Sequence, residues 1–176
     1  MGSAPGRTVR RHRSAQRYPA ARPPLWQARD VITRIDPEDS HPTSGYAHVT
    51  LVESGRLAFF AGQMPMDDSG ERVVGVGDLD AQVDRTVVNA ARALAAVGAR
   101  PEDVVRTTVY VVASAAAEAG RAWHRFAGSE IGAAFTSAST LLGVAVLGFP
   151  DQLVELEMTA ALSAPGPAAP SAGTPR

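Results

Sequence analysis

An α+β fold, ordered β-β-α-β-α-β-β with both helices against one face of a sheet, is predicted by three patterns in this 176-residue chain. Leu79, Val83, Val87, Ala90, Leu94 and Val97 recur at spacings of three and four, which draws one apolar stripe along a helix. Residues 153–160 (LVELEMTA) alternate strictly, Val154, Leu156, Met158 and Ala160 against Glu155, Glu157 and Thr159, as a half-buried strand does. Residues 140–147 (TLLGVAVL) are almost wholly apolar, the mark of a strand covered on both faces.

The elements follow in order. Residues 46–53 (YAHVTLVE) and 57–61 (LAFFA), separated by Ser54-Gly55, read as a hairpin. Gly62-Gln63-Met64-Pro65 breaks the regularity, and MDDSGERVVGVGD reads as a loop or edge ribbon. Asp78 is placed to cap the first helix, which Gly98 and Pro101 terminate. Residues 103–112 (DVVRTTVYVV) are β-branched and read as a strand. Ser114 is placed to cap a second helix over 115–131, with Ala119, Trp123 and Phe126 along one side. Gly148-Phe149-Pro150-Asp151 turns the chain into the alternating last strand.

Composition narrows the chemistry. All 17 basic residues are Arg, so there is no lysine for a Schiff base or a phosphate loop. There is no Cys, which removes thiolate nucleophiles, disulfides and Cys-based metal sites. His12, His41, His48 and His124 are scattered, and no metal site is expected. Gly75-Val76-Gly77 before a helix lacks the rest of a nucleotide-binding fingerprint. Residues 1–29 hold seven Arg and no acid, whereas residues 30–163 hold nine Arg against all 18 acids. The acidic body does not favour nucleic acid. We expect a basic, disordered arm over 1–29, although Tyr18, Leu25 and Trp26 could dock, then an ordered domain over 30–162 and a disordered Ala/Pro tail over 163–176. No stretch has the length of a membrane span or the apolar core of a secretory signal, so a cytoplasmic location is expected.

Two helices on one sheet face leave strand 141–147 uncovered on the other. A second copy of the chain is the simplest cover, and self-association is expected.

GYAHV (45–49), FFAGQMPMDDSG (59–70), GDLDAQVDRTVVNAARALAAVGA (77–99), EDVVRTTVYV (102–111), STLLGVAVL (139–147) and LVELEMTA (153–160) together resemble the Rid family, the YjgF-like reactive intermediate deaminases. The likeness covers about 130 residues, essentially the whole expected domain. It implies a chorismate-mutase-like fold, a homotrimer around a central β-barrel, and small-molecule clefts at the subunit interfaces. It implies cofactor-free hydrolysis of imines or enamines, in which an Arg before a late strand grips the substrate carboxylate through a guanidinium fork. A Glu on the last strand positions or activates water, and a Tyr closes the cleft.

Transferred residue by residue, the resemblance matches Tyr46, Gly62-Gln63 and Glu155. The Arg position is occupied by Ser139 in Ser137-Ala138-Ser139-Thr140, and no Arg lies between 126 and 175. That removes a charged hydrogen bond worth roughly 1.5–3 kcal/mol. The implied activity is therefore a diverged one on a reactive imine, enamine or activated carbonyl: hydrolysis, tautomerisation, dehydration or cyclisation. The Arg-only, Ala-rich usage is associated with genomes rich in specialised-metabolite biosynthesis. The alternative is a non-catalytic, metabolite-binding or chaperone-like protein. A ribonuclease activity attributed to some family members is opposed by the acidic body.

The candidate catalytic residues are Glu155, Tyr46 and His124, and the candidate substrate contacts are Gly62, Gln63, Arg121, Ser139 and Thr140. Each also has a plain structural reading. Glu155 and Glu157 share a strand face and could be solvated carboxylates. Tyr46 could simply pack on the body, and His48, two residues on, reads as an exposed strand histidine. Arg121 and Arg125, one helical turn apart beside His124, could replace the lost Arg or line a solvated helix face. Ser139 has no visible base to make it a nucleophile.

Overall fold

The computed structural model describes residues 32–53 and 55–162. The basic arm, with Tyr18, Leu25 and Trp26, and the tail from 163 onward lie outside the described residues. The elements are β1 (Ile32–Ile35), β2 (Val49–Val52), β3 (Arg56–Gln63), α1 (Leu79–Ala96), β4 (Val104–Val112), α2 (Ala116–Ala127), β5 (Ala138–Val144) and β6 (Val154–Leu162). Two helices pack on a mixed four-stranded sheet ordered β3-β6-β4-β5, in which only the β4–β5 pair is parallel. The α+β class and the single helical layer are as the patterns predict. Among the described residues no helix is long and apolar enough to cross a membrane.

Alternation decides which side of the sheet each residue faces. Val154, Leu156, Met158 and Ala160 of β6 are buried under the helices with Val109 and Val111 of β4. On α1 the stripe Leu79, Val83, Val87, Ala90 and Leu94 closes over them, and Trp123, Phe126 and Phe135 complete the core. Glu155 and Glu157 face the opposite, helix-free side, where they stand opposite Tyr110 and Thr108.

Asp78 caps α1 as expected: its carboxylate accepts from the backbone N–H groups of Asp80 (3.0 Å) and Ala81 (3.1 Å). Asp78→Ala should lower stability by about 1 kcal/mol. Denaturant midpoints compared at fixed protein concentration check this, and an unchanged midpoint would mean the cap contributes nothing.

Four expectations are corrected. The strands around Ser54-Gly55 do not form a hairpin with each other. Instead β2 pairs with β1, an additional strand over 32–35, and β3 pairs with β6. Gly55, at φ +124°, turns the chain from one sheet into the other. Phe60 of β3 packs on the core opposite Met158 of β6, while Thr50 of β2 accepts the Ala138 N–H at 2.8 Å and fastens the small sheet to β5. Secondly, Ser114 does not cap α2 with its side chain. Glu118 reaches back and accepts the Ser114 N–H at 2.8 Å. Thirdly, α2 stops at Gly128 and a 3-10 turn over Gly132–Thr136 follows. Finally, the apolar run at 140–147 forms a strand only to Val144; the exposure of Leu142 (41%) within one chain is as expected for a face the helices do not cover.

Candidate functional site

A cleft of about 470 Å³ opens where the loop before β2, helix α2 and strand β5 meet. Ser44 and Tyr46 form its mouth, Gly120, Trp123 and His124 one wall, and Ser139, Thr140 and Leu141 the other. Its volume lies in the ~300–1,000 Å³ range of small-molecule sites. The aromatic wall is built outward from the core. Phe126 stacks on Phe135 at 5.4 Å, Phe135 meets Trp123 edge-on at 5.4 Å, and Trp123 meets Tyr46 edge-on at 6.0 Å. Such edge-to-face pairs fix ring orientation. Behind Tyr46, the His48 ring donates from Nε2 to the His41 carbonyl at 2.7 Å and stands 6.4 Å from the Tyr46 ring.

Four of the candidate residues, Tyr46, His124, Ser139 and Thr140, meet in this cleft. Ser139 is the least available of them: it shares a hydrogen bond with the Thr107 hydroxyl at 2.7 Å and lies 3.0 Å from the Ser137 carbonyl. The Ser44, Tyr46 and Thr140 hydroxyls and the His124 ring take no partner among the described residues. Gly120 lies mid-helix, where Gly costs roughly 1 kcal/mol against Ala. A Cβ there would meet nothing within 4 Å, so packing within the chain does not demand a glycine.

Gly62 and Glu155 form a second cluster, on the helix-free face. The Glu155 carboxylate lies directly over Gly62, where an added Cβ would come within 1.7 Å of Oε1. Gln152 holds it in place, donating from Nε2 to Glu155 Oε2 at 3.0 Å and to the Val154 carbonyl at 3.1 Å. Beside it the Tyr110 hydroxyl donates to Glu157 Oε2 at 3.1 Å. Burial, then that hydrogen bond and the negative charges of Glu157 and Glu155, push the Tyr110 phenol above its ordinary pKa, so it stays a proton donor.

Two candidates lie elsewhere. Gln63 points toward a third region, a groove beside the loop at 64–70, and its amide donates to the Ala61 carbonyl at 2.9 Å. In that groove Asp68 is bridged by Arg85 and Arg92, both at 2.6 Å, which hold its carboxyl below the usual range. Arg121 is turned to α1, 3.3 Å from Asp80, and Arg125 grips Asp84 at 2.6 Å. Both arginines clamp α2 onto α1, so the suggestion that either replaces the missing Arg finds no support in the placement. Sequence reading missed Tyr110 and Gln152. The alternation Val109-Tyr110-Val111 already turns Tyr110 away from the core. No local pattern marks Gln152, whose role depends on the turn before β6.

Two helices on one face of a mixed sheet, with a cleft between α2 and β5 and a carboxylate on the helix-free face, define an α+β class to which one family of proteins corresponds. The family described as Endoribonuclease L-PSP matches residues 38–162, and the chain belongs to this family, the Rid proteins. It is similar to the Rid-family protein YyfB of Yersinia pestis, a protein of unknown function: 34% identity, TM-score 0.66, covering 75% of this chain and 99% of that one. YyfA of the same organism shares the fold at 20% identity and TM-score 0.52, covering 74% and 99%. Protein DfrA of Myxococcus xanthus is 35% identical over 66 residues, 38% of this chain, and this match spans half of DfrA's length.

Proposed function

We propose that the chain works as a homotrimer whose interface clefts process a neutral, reactive small molecule, an imine, enamine or activated carbonyl, by proton transfer without a cofactor. The observation that carries this reading is the Glu155 carboxylate, pinned by Gln152 over the bare Cα of Gly62 on a face left open for a neighbouring copy. Around it that face exposes Leu57, Phe59 and Leu142. Phe59 alone is 78% exposed, and burying it would contribute roughly 1.5–3 kcal/mol per subunit. Closing three such faces around a barrel would bring Glu155 of one copy toward the Tyr46–His124 cleft of the next. There the carboxylate would exchange protons with the reacting group, and the Tyr46 hydroxyl and His124 ring would orient it. The expected mass by light scattering is three times the 18.4 kDa chain mass at micromolar concentration. A stable 18 kDa species would sink the proposal.

Ser139 in the place of the carboxylate-gripping Arg argues against small 2-imino acids as substrates. In an assay coupled to an amino-acid oxidase, the purified protein should hydrolyse them weakly or not at all. Turnover matching an Arg-containing relative would show that another group holds the carboxylate. A place in specialised-metabolite biosynthesis and a cytoplasmic location belong to this reading as proposals. The arginine excess of residues 1–29 does not offset the acidic body, so an endoribonuclease activity is not adopted.

One observation favours a binding protein instead. Within a single chain Glu155 and the cleft are separate, and the Ser139 hydroxyl is already engaged. Retention of a metabolite without turnover by the intact assembly would establish that alternative.

A further inference from the structure

We infer that Gly120 sets the ligand class of the cleft: it keeps one wall low enough for a flat, uncharged aromatic or conjugated group to lie between α2 and β5. This deepens the proposed reading and rests on the same cleft.

Three observations converge on it. The helix carries a glycine at a site where an added Cβ would meet nothing within 4 Å, so the chain's own packing does not require one. The space so preserved faces Ser139–Leu141 across a cavity of about 470 Å³, far roomier than a compact polar metabolite requires. The side chains around it are apolar, aromatic or hydroxyl-bearing, and among the described residues the His124 ring is the one basic group. Trp123 and Tyr46 are locked edge-to-face at 6.0 Å, Leu141 is apolar, and Tyr46, Ser44 and Thr140 offer hydroxyls. No Arg and no carboxylate of this chain lines the cleft among the described residues. The two arginines on α2 are held at Asp80 and Asp84. An anion there finds no guanidinium fork and only the imidazole of His124 to answer its charge, whereas a neutral planar group meets ring edges and hydroxyl donors. If Glu155 of the partner subunit approaches, it adds negative charge and disfavours an anionic ligand further.

The test is binding to the full-length protein, read by calorimetry and by the Trp123 indole N–H resonance, with two probes of matched shape. Benzamide, neutral, should bind and shift Trp123. Benzoate, its anionic counterpart, should bind at least tenfold more weakly at pH 7. Gly120→Leu should weaken benzamide at least tenfold. Gly120→Ala, which strengthens the helix and cannot disturb packing, should weaken it less while leaving the melting temperature unchanged or higher. Equal or tighter binding of benzoate overturns the inference, as does failure of benzamide to bind at millimolar concentration. Unchanged affinity in a folded Gly120→Leu variant overturns it too. The readout needs no turnover, so a protein that binds benzamide as described but proves catalytically inert would refute the enzymatic reading alone.

Discussion

Glu155→Gln is expected to lower kcat on the true substrate by roughly 10²–10⁴-fold, the usual contribution of a positioned acid–base group. The substitution keeps the size of the side chain and its place over Gly62, so the fold and the assembly should survive. What it removes is the exchangeable proton. Glu157→Gln, two residues along the same strand face, should cost far less, because Glu157 only accepts a hydrogen bond from Tyr110. Gly62→Ala supplies an independent check. The new methyl would take the place now occupied by Glu155 Oε1, forcing the carboxylate away from Gln152 while the backbone stays put. It should therefore reproduce much of the loss without altering residue 155. Equal losses from Glu155→Gln and Glu157→Gln, or a larger loss from Tyr46→Phe or His124→Gln, would assign the proton transfer to another group.

Phe126→Ala should destabilise the protein by about 3–5 kcal/mol, the range for truncating a fully buried aromatic side chain. Phe126 is wholly inaccessible to solvent and stacks on Phe135, which in turn supports Trp123. Its removal takes away both burial and the ring stack. The effect should reach function as well, because Trp123 forms part of the cleft wall and its orientation depends on this ring series. Urea denaturation at fixed protein concentration checks the first part. A loss below 1 kcal/mol would mean that the core repacks around the gap.

Elements whose evidence is local were legible in the sequence. The α1 stripe, its Asp78 cap and the alternation of β6 each lie within one segment, and the structure reproduces them. Pairing was not legible. The order β2–Gly55–β3 looks like a hairpin because turn residues are visible in sequence. The groups that decide the outcome, Thr50 reaching Ala138 and Phe60 seeking cover beside β6, are 88 and 98 residues from their partners. β1 was missed because four residues, ITRI, carry too short a pattern. The site divides in the same way. Motif matching singled out Tyr46, His124, Ser139, Thr140, Gly62 and Glu155 as parts of one cleft, but within a single chain they divide between two places, Gly62 and Glu155 lying apart on the helix-free face. It could not show that Arg121 would be claimed by Asp80 on the facing helix, because that pairing follows from how α1 and α2 dock.

Gln82 has a consequence for how the molecule opens. It is fully buried, and its amide reaches the carbonyls of Gly75 and Asp151 at 3.1 and 2.7 Å, while its oxygen accepts the Leu153 N–H at 2.7 Å. One side chain of α1 thereby ties the turn that leads into β6 to the helix rather than leaving it as a free surface loop. Fluctuations of that turn cannot be local: freeing Leu153 strips a buried amide of its partners, so the turn opens together with α1 as one cooperative unit. The Leu153 amide, and that of Val112 bonded to the Leu153 carbonyl at 2.8 Å, should then exchange with solvent at core-like rates. The backbone two residues beyond Leu153, which carries Glu155, is thereby set on a frame that gives way only together with a helix on the other side of the sheet.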